Sequence, residues 1–157
     1  MTRPHLVTSG LLGVVAGLRS QLPYAALAAR GLGPTSGPLA VLGSATGRRV
    51  AYLAAVGEMV ADKLPATPSR VERGPLLGRV VSGGLAGAVV FAAAGDRGRA
   101  LLVPTLAGAA GAFAGSWGGY LARRQLVAAT GLPDPAVAVA EDALAVGLAA
   151  LAVRRTS

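Results

Sequence analysis

The chain has no cysteine, which excludes disulfides, thiolate catalysis and cysteine-type zinc sites. Its single histidine, His5, leaves nothing from which a histidine metal site or a catalytic triad could be built. Charge is also scarce: 14% of residues are charged, where an ordinary soluble domain has about a quarter. The sequence therefore predicts no metal, no cofactor and no catalytic residues.

Small apolar residues fill the space. The hydrophobic fraction is 53% with 23 glycines, and the mean hydropathy is +0.57. This is a membrane composition in which glycine and alanine let helix backbones approach closely. The length of 157 residues fits one integral membrane domain. Arg3 ahead of the apolar run Leu6 to Ala16 has the outline of a signal peptide. No small-residue cleavage site follows and Arg19 interrupts the run, so the segment is read as a mature helix.

Stretches of membrane length fall at about 6–29, 48–64, 76–94, 100–122 and 135–153. The expected fold is an all-α polytopic bundle of about five helices, with four to six as the range. Four applies if the first segments fold back. "PTSGPLAVLGSATG", from Pro34 to Gly47, is too short in its apolar part to cross and reads as a loop, a brief interfacial helix or a re-entrant piece. Residues 65–75, with Pro65, Pro68, Gly74 and Pro75, read as an interfacial loop. Asp134 is expected to cap the last helix, with Pro135 in its first turn. Gly13 and Gly17, Gly83 and Gly87, and Gly111, Gly115 and Gly119 form small-residue stripes for helix packing, within a subunit or between copies.

A net charge of +8 suggests nucleic acid in a soluble protein. Here the basic residues punctuate apolar helices, so they read as anchors to membrane lipids, with no nucleic-acid partner. Trp117 and Tyr120, just before Arg123 and Arg124, read as part of an interfacial belt. With five crossings, Arg3, Lys63, Arg70, Arg73, Arg79, Arg123 and Arg124 fall on one side, and Arg30, Arg48, Arg49, Arg97, Arg99, Arg154 and Arg155 on the other. That balance selects no orientation. Either the span count is wrong, or the protein inserts in both orientations and pairs as an antiparallel dimer; a homo-oligomer is expected.

Arg19 stands apart, inside the first span. A guanidinium at the centre of a bilayer costs at least about 2.5–3.5 kcal/mol unless paired or hydrated. Pro23 removes the backbone hydrogen bond that would reach back to residue 19, so an unwound turn with free carbonyls is expected at Ser20 to Pro23, with Gln21 adding a polar group. Glu58 and Asp62 are one helical turn apart and share a face. Glu141 and Asp142 lie about two turns inside the last helix. The expected network joins Arg19 to Glu58 and extends to Glu141, while Arg70 reaches Asp62 from the loop. The segments "AGLRSQLPYAALAARGLGP" and "AGSWGGYLARRQLVAATGLP" share a pattern that suggests an internal, inverted repeat.

Taken in order, "AGLRSQLPYAALA", "GEMVADKLPATPSR", "LLGRVVSGGLAGA" and "PDPAVAVAEDALAVGLAALAVRR" resemble the bacterial membrane-protein family catalogued as DUF4126, a family without an established activity. The resemblance implies a small multi-helix protein of the bacterial inner membrane. It puts Arg19, Glu58, Asp62, Lys63, Pro68, Ser69, Arg70, Gly78, Arg79, Glu141 and Asp142 in the characteristic runs. The functional expectation is a small transporter or channel-type protein. Its polar site would consist of Arg19, Gln21, Glu58, Asp62, Lys63, Ser69, Arg70, Arg79, Glu141 and Asp142, and would take an ion, a proton or a small polar solute. The alternative is a structural or assembly protein that oligomerises through the glycine stripes. A lipid-phosphate enzyme with Lys63, Arg70, Arg73 and Arg79 as a clamp and Ser69 beside it is the third reading.

Overall fold

The computed structural model describes residues 3–34, 38–62 and 69–155. Among these the chain is all-helical, with six α-helices: α1 (Arg3–Leu18), α2 (Leu22–Ala29), α3 (Ala45–Ala61), α4 (Arg73–Ala93), α5 (Leu102–Thr130) and α6 (Asp134–Arg154). Short 3-10 turns at Pro38–Gly43 and Gly98–Leu101 precede α3 and α5.

The expected first span, 6–29, is two helices. Pro23 lies in the first turn of α2, where its missing N–H costs nothing, but a continuous helix would need that N–H to bond residue 19. The chain therefore breaks at Arg19 to Gln21 and turns back. Thr8 of α1 donates to the Ala152 carbonyl (3.2 Å), and Arg30, just past the end of α2, lines a cleft with Val153 and Arg154. The start of α1 and the end of α2 thus lie beside the same end of α6. α1 and α2 form a helical hairpin with its tip inside the bundle.

α1, α4 and α5 make the centre. Ser9 of α1 donates to the Gly87 carbonyl of α4 (3.0 Å). Where the three helices meet, a Cβ on Gly13 would strike the Gly108 carbonyl, and one on Gly108 would strike the Gly83 carbonyl. Only glycine permits backbones this close. α6 covers α1 and α5, and α3 rests on α2 and the preceding 3-10 turn.

Helix ends follow local chemistry. Ser44 caps α3, its hydroxyl accepting from the Gly47 N–H (2.9 Å), as a serine before a helix commonly does. α5 runs past the expected limit of 122 to Gly131, whose φ of 64° provides the left-handed stop. α4 begins at Arg73 rather than beyond 75, because Pro75 fits a first turn that has no partner for its N–H. Residues 65–68 of the expected loop lie outside the described residues, as does Lys63 at the end of the expected second span. At α6 the N-cap is Pro133 without a side-chain cap. Asp134 is instead held by Arg123, whose Nε donates to Oδ1 at 2.7 Å.

Polarity is turned inside out. Leu53, Leu106 and Leu77 are 73%, 67% and 65% exposed, whereas Arg19, Thr8, Ser9 and Ser116 are 0% exposed. A soluble protein does not expose so much large apolar surface. α4, the stretch Gly98–Thr130 and α6 are each long and apolar enough to cross a membrane, and α1 is a shorter apolar helix. The chain is a membrane protein.

Candidate functional site

The break between α1 and α2 frees backbone groups that water cannot reach in hydrocarbon, and each needs a partner. The carbonyls at the end of α1 receive cations: Arg79 Nη1 donates to Leu18 O (2.7 Å) and Gly17 O (3.2 Å), and Arg19 Nη1 donates to Leu18 O (2.8 Å). The N–H groups that open α2 receive an anion. Glu58 accepts from Ser20 N (2.7 Å), Ser20 Oγ (2.9 Å) and Gln21 N (2.8 Å). Positive charge at a helix C-terminus and negative charge at an N-terminus also complement the two helix dipoles. Ser82 of α4 closes the remainder, donating to Ser20 O (2.6 Å), while Tyr24 donates to Ser82 O (2.9 Å).

Around this tip the ion pairs interlock. Arg19 donates through Nε to Asp142 (2.6 Å) and through Nη1 to Asp62 (2.8 Å). Arg79 Nη2 lies 3.2 Å from Asp62 and 3.3 Å from Glu58. Arg70 grips Glu141 with both terminal nitrogens, the Nη2–Oε2 bond being 2.9 Å, and Arg123 Nη1 stands 3.8 Å from the same carboxylate. Gly119 makes room for this pair, since a Cβ there would touch both Arg70 and Glu141. Carboxylates from α3 and α6 thus meet arginines from α4, α5, the turn before α4 and the hairpin tip.

The membership expected from sequence is largely brought together, but the pairing differs. Arg19 is bound to Asp62 and Asp142 rather than to Glu58 and Glu141. Glu58 turns to the hairpin backbone, where two N–H groups that the helix break leaves without a backbone partner donate to its two carboxylate oxygens. Arg70 reaches Glu141 rather than Asp62, which Arg19 and Arg79 already share. Gln21 contributes its backbone N–H. Ser69 stands aside: its backbone N–H donates to Glu72 Oε1 (2.8 Å) in a local turn. Lys63 lies outside the described residues. Arg73 is exposed, and Arg70 and Arg79 are committed to carboxylates, so these three do not converge on one point as a phosphate clamp would. Sequence reasoning placed Ser20 in the unwound turn but gave its hydroxyl and N–H no role, and it missed Tyr24, Ser82 and Arg123. For Arg123 the usable signal was a following carboxylate, Asp134, across a short helix connection.

One donor is left over. The Arg19 side chain is 1% exposed, and among the described residues no acceptor lies within hydrogen-bonding distance of its Nη2. Among the described residues, no group of three or more His, Asp and Glu side chains could hold a metal ion.

No family model, curated protein or solved structure matches the chain. Fold and site together define the class: an all-helical membrane protein whose charges are gathered around an internal helix break.

Proposed function

We propose that the protein is a small multi-pass transporter or channel-type protein of the bacterial inner membrane, and that its Arg/Glu/Asp site receives an ion, a proton or a small polar solute. The observation that carries this reading is the unspent Nη2 of Arg19. A buried cationic donor without an acceptor is costly, and an acceptor visiting the site would relieve that cost. The hairpin tip supports the same reading, because discontinuous helices present charged solutes with free helix ends inside the bilayer. Membership of the DUF4126 family belongs to this proposal.

Reconstitution in liposomes tests it. Wild-type protein should dissipate a proton gradient or accumulate a solute from a panel of labelled ions, amino acids and organic acids. Arg19→Gln and Glu58→Gln should each lower the rate at least about tenfold, the loss expected when one charge-assisted hydrogen bond at the site is removed, while helix content and elution in detergent are retained. Equal rates in wild type, both variants and empty liposomes would overturn the reading.

Orientation follows from the folded-back hairpin. Arg30, Arg48, Arg49, Arg97, Arg99, Arg154 and Arg155 all fall at the end of the bundle that holds the start of α1. At the site end, Arg19, Arg70, Arg79 and Arg123 are consumed by carboxylates, and Arg73 and Arg124 remain exposed. The positive-inside rule then puts the start of α1 and the end of α6 in the cytoplasm, and an antiparallel pair loses its motive. Since the natural chain has no thiol, single cysteines report cleanly. Ala94→Cys should react with a membrane-impermeant maleimide only in inside-out vesicles, and Leu132→Cys only in right-side-out ones. Both reacting from one side would sink this topology.

The second reading is an assembly protein, favoured by the near-complete pairing of the network, which fixes helix register without any solute. Its glycine interface cannot be Gly13, Gly83, Gly87, Gly108, Gly111 or Gly115, which face other helices of the same chain; Gly118 and Gly147 face open space. A defined homo-oligomer in detergent, together with inactive liposomes, would favour it.

A further inference from the structure

Away from the polar site, α2, α3 and α6 leave a cleft of about 650 Å³ between them, within the usual range for small-ligand sites. Its floor is the alanine-rich face of α2. Its walls are Val56 of α3 and Val146 and Ala150 of α6, which open sideways: Val56 and Val146 are 59% and 47% exposed. The lining is apolar except at one end, where Arg30, Arg154 and the Tyr52 ring with its hydroxyl are gathered. Among the described residues no carboxylate side chain lines it.

These features restrict the occupant. From Leu22 at the apolar end to Arg30 at the cationic end is about 12 Å at 1.5 Å per residue. A cleft that opens sideways on an apolar surface and ends in a cationic cluster offers its walls to an acyl chain and its end to a headgroup. Two guanidiniums gathered at one end favour an anion, and phosphate matches their paired donors. They also disfavour the ammonium of a zwitterionic headgroup.

We propose that this cleft seats an anionic phospholipid, with its phosphate between Arg30 and Arg154 and one acyl chain lying along α2 toward Leu22 and Met59. The Tyr52 hydroxyl donates to the headgroup. Basic pockets between helices on the cytoplasmic side are where anionic headgroups are held, and the orientation derived above puts Arg30 and Arg154 on that side. The lipid site does not depend on solute transport.

Purified protein in maltoside micelles, titrated with dioleoylphosphatidylglycerol, dioleoylphosphatidylcholine or inorganic phosphate and followed by native mass spectrometry and thermal unfolding, tests this. The phosphatidylglycerol should bind at least about tenfold more tightly than the phosphatidylcholine, from two arginines facing the headgroup. Arg30→Gln combined with Arg154→Gln should abolish the difference, and Ala150→Phe, an exposed position on the cleft wall, should weaken binding of both lipids. Arg124→Gln, at the opposite end, should change nothing. Equal binding of the two lipids by wild type would overturn the proposal. So would unchanged binding in Ala150→Phe, or stabilisation by inorganic phosphate alone equal to that by phosphatidylglycerol, the last assigning a free-anion site instead.

Discussion

Arg19→Met should cost the protein about 3–5 kcal/mol, the range for removing one partner of a buried ion pair. In detergent that is a fall in unfolding midpoint of roughly 6–20 °C for a chain of this size. The loss comes less from the vanished attraction than from what remains. Asp142 loses its Nε donor, the Leu18 carbonyl loses one of its two donors, and Asp62 keeps only Arg79. Adding Asp142→Asn to Arg19→Met should therefore recover part of the stability, because a neutral amide is cheaper to bury than a carboxylate that has lost its arginine. Thermal scans of the wild type, both single variants and the double variant give the coupling directly. A strictly additive cycle would mean that Arg19 and Asp142 do not act on each other.

Gly108→Ala should be nearly as damaging, through a different mechanism. The added methyl group would meet the Gly83 carbonyl of α4, and backbone cannot rotate away as a side chain can. Overpacking costs typically about 1–3 kcal/mol, and this contact belongs at the upper end because α1 crosses at the same level through Gly13. Gly118→Ala, on the same helix, provides the matched control. Nothing lies within 4 Å of its added Cβ, so the change should be neutral or stabilise by up to about 1 kcal/mol through helix propensity. Comparing the yields and unfolding midpoints of the two variants isolates the crossing. If Gly108→Ala matched Gly118→Ala, the close approach of α4 and α5 would be refuted.

The class of fold was legible because composition alone forces it: a chain so poor in charge and so rich in small apolar residues has no water-soluble arrangement. Residues of the polar site were legible for the complementary reason that an arginine or carboxylate within such helices must find company. The partner of each was not. Glu58 and Asp62 share a helix face, so spacing cannot decide which meets Arg19 and which meets backbone. That choice depends on the free N–H groups of Ser20 and Gln21, which exist only once the chain has turned back. The reversal itself was hidden because hydropathy is blind to direction, and residues 6–29 are as apolar when folded in two as when crossing. Pro23 marked the place without giving the angle. The "AGSWGGYLARRQLVAATGLP" segment lacks such an internal proline and runs unbroken in helix α5 as far as Thr130, whereas its suggested counterpart is split at the hairpin tip.

The attachment of α3 has a consequence for how the molecule can open. This helix leans on α2 and the turn before it, yet it supplies Glu58 and Asp62, both counter-charges of Arg79. Were α3 to swing outward like a shutter, Arg79 would lose every carboxylate at once and the hairpin tip would lose its anchor in the same movement. Closure of that outer helix and neutrality at the centre of the bundle are thus one event.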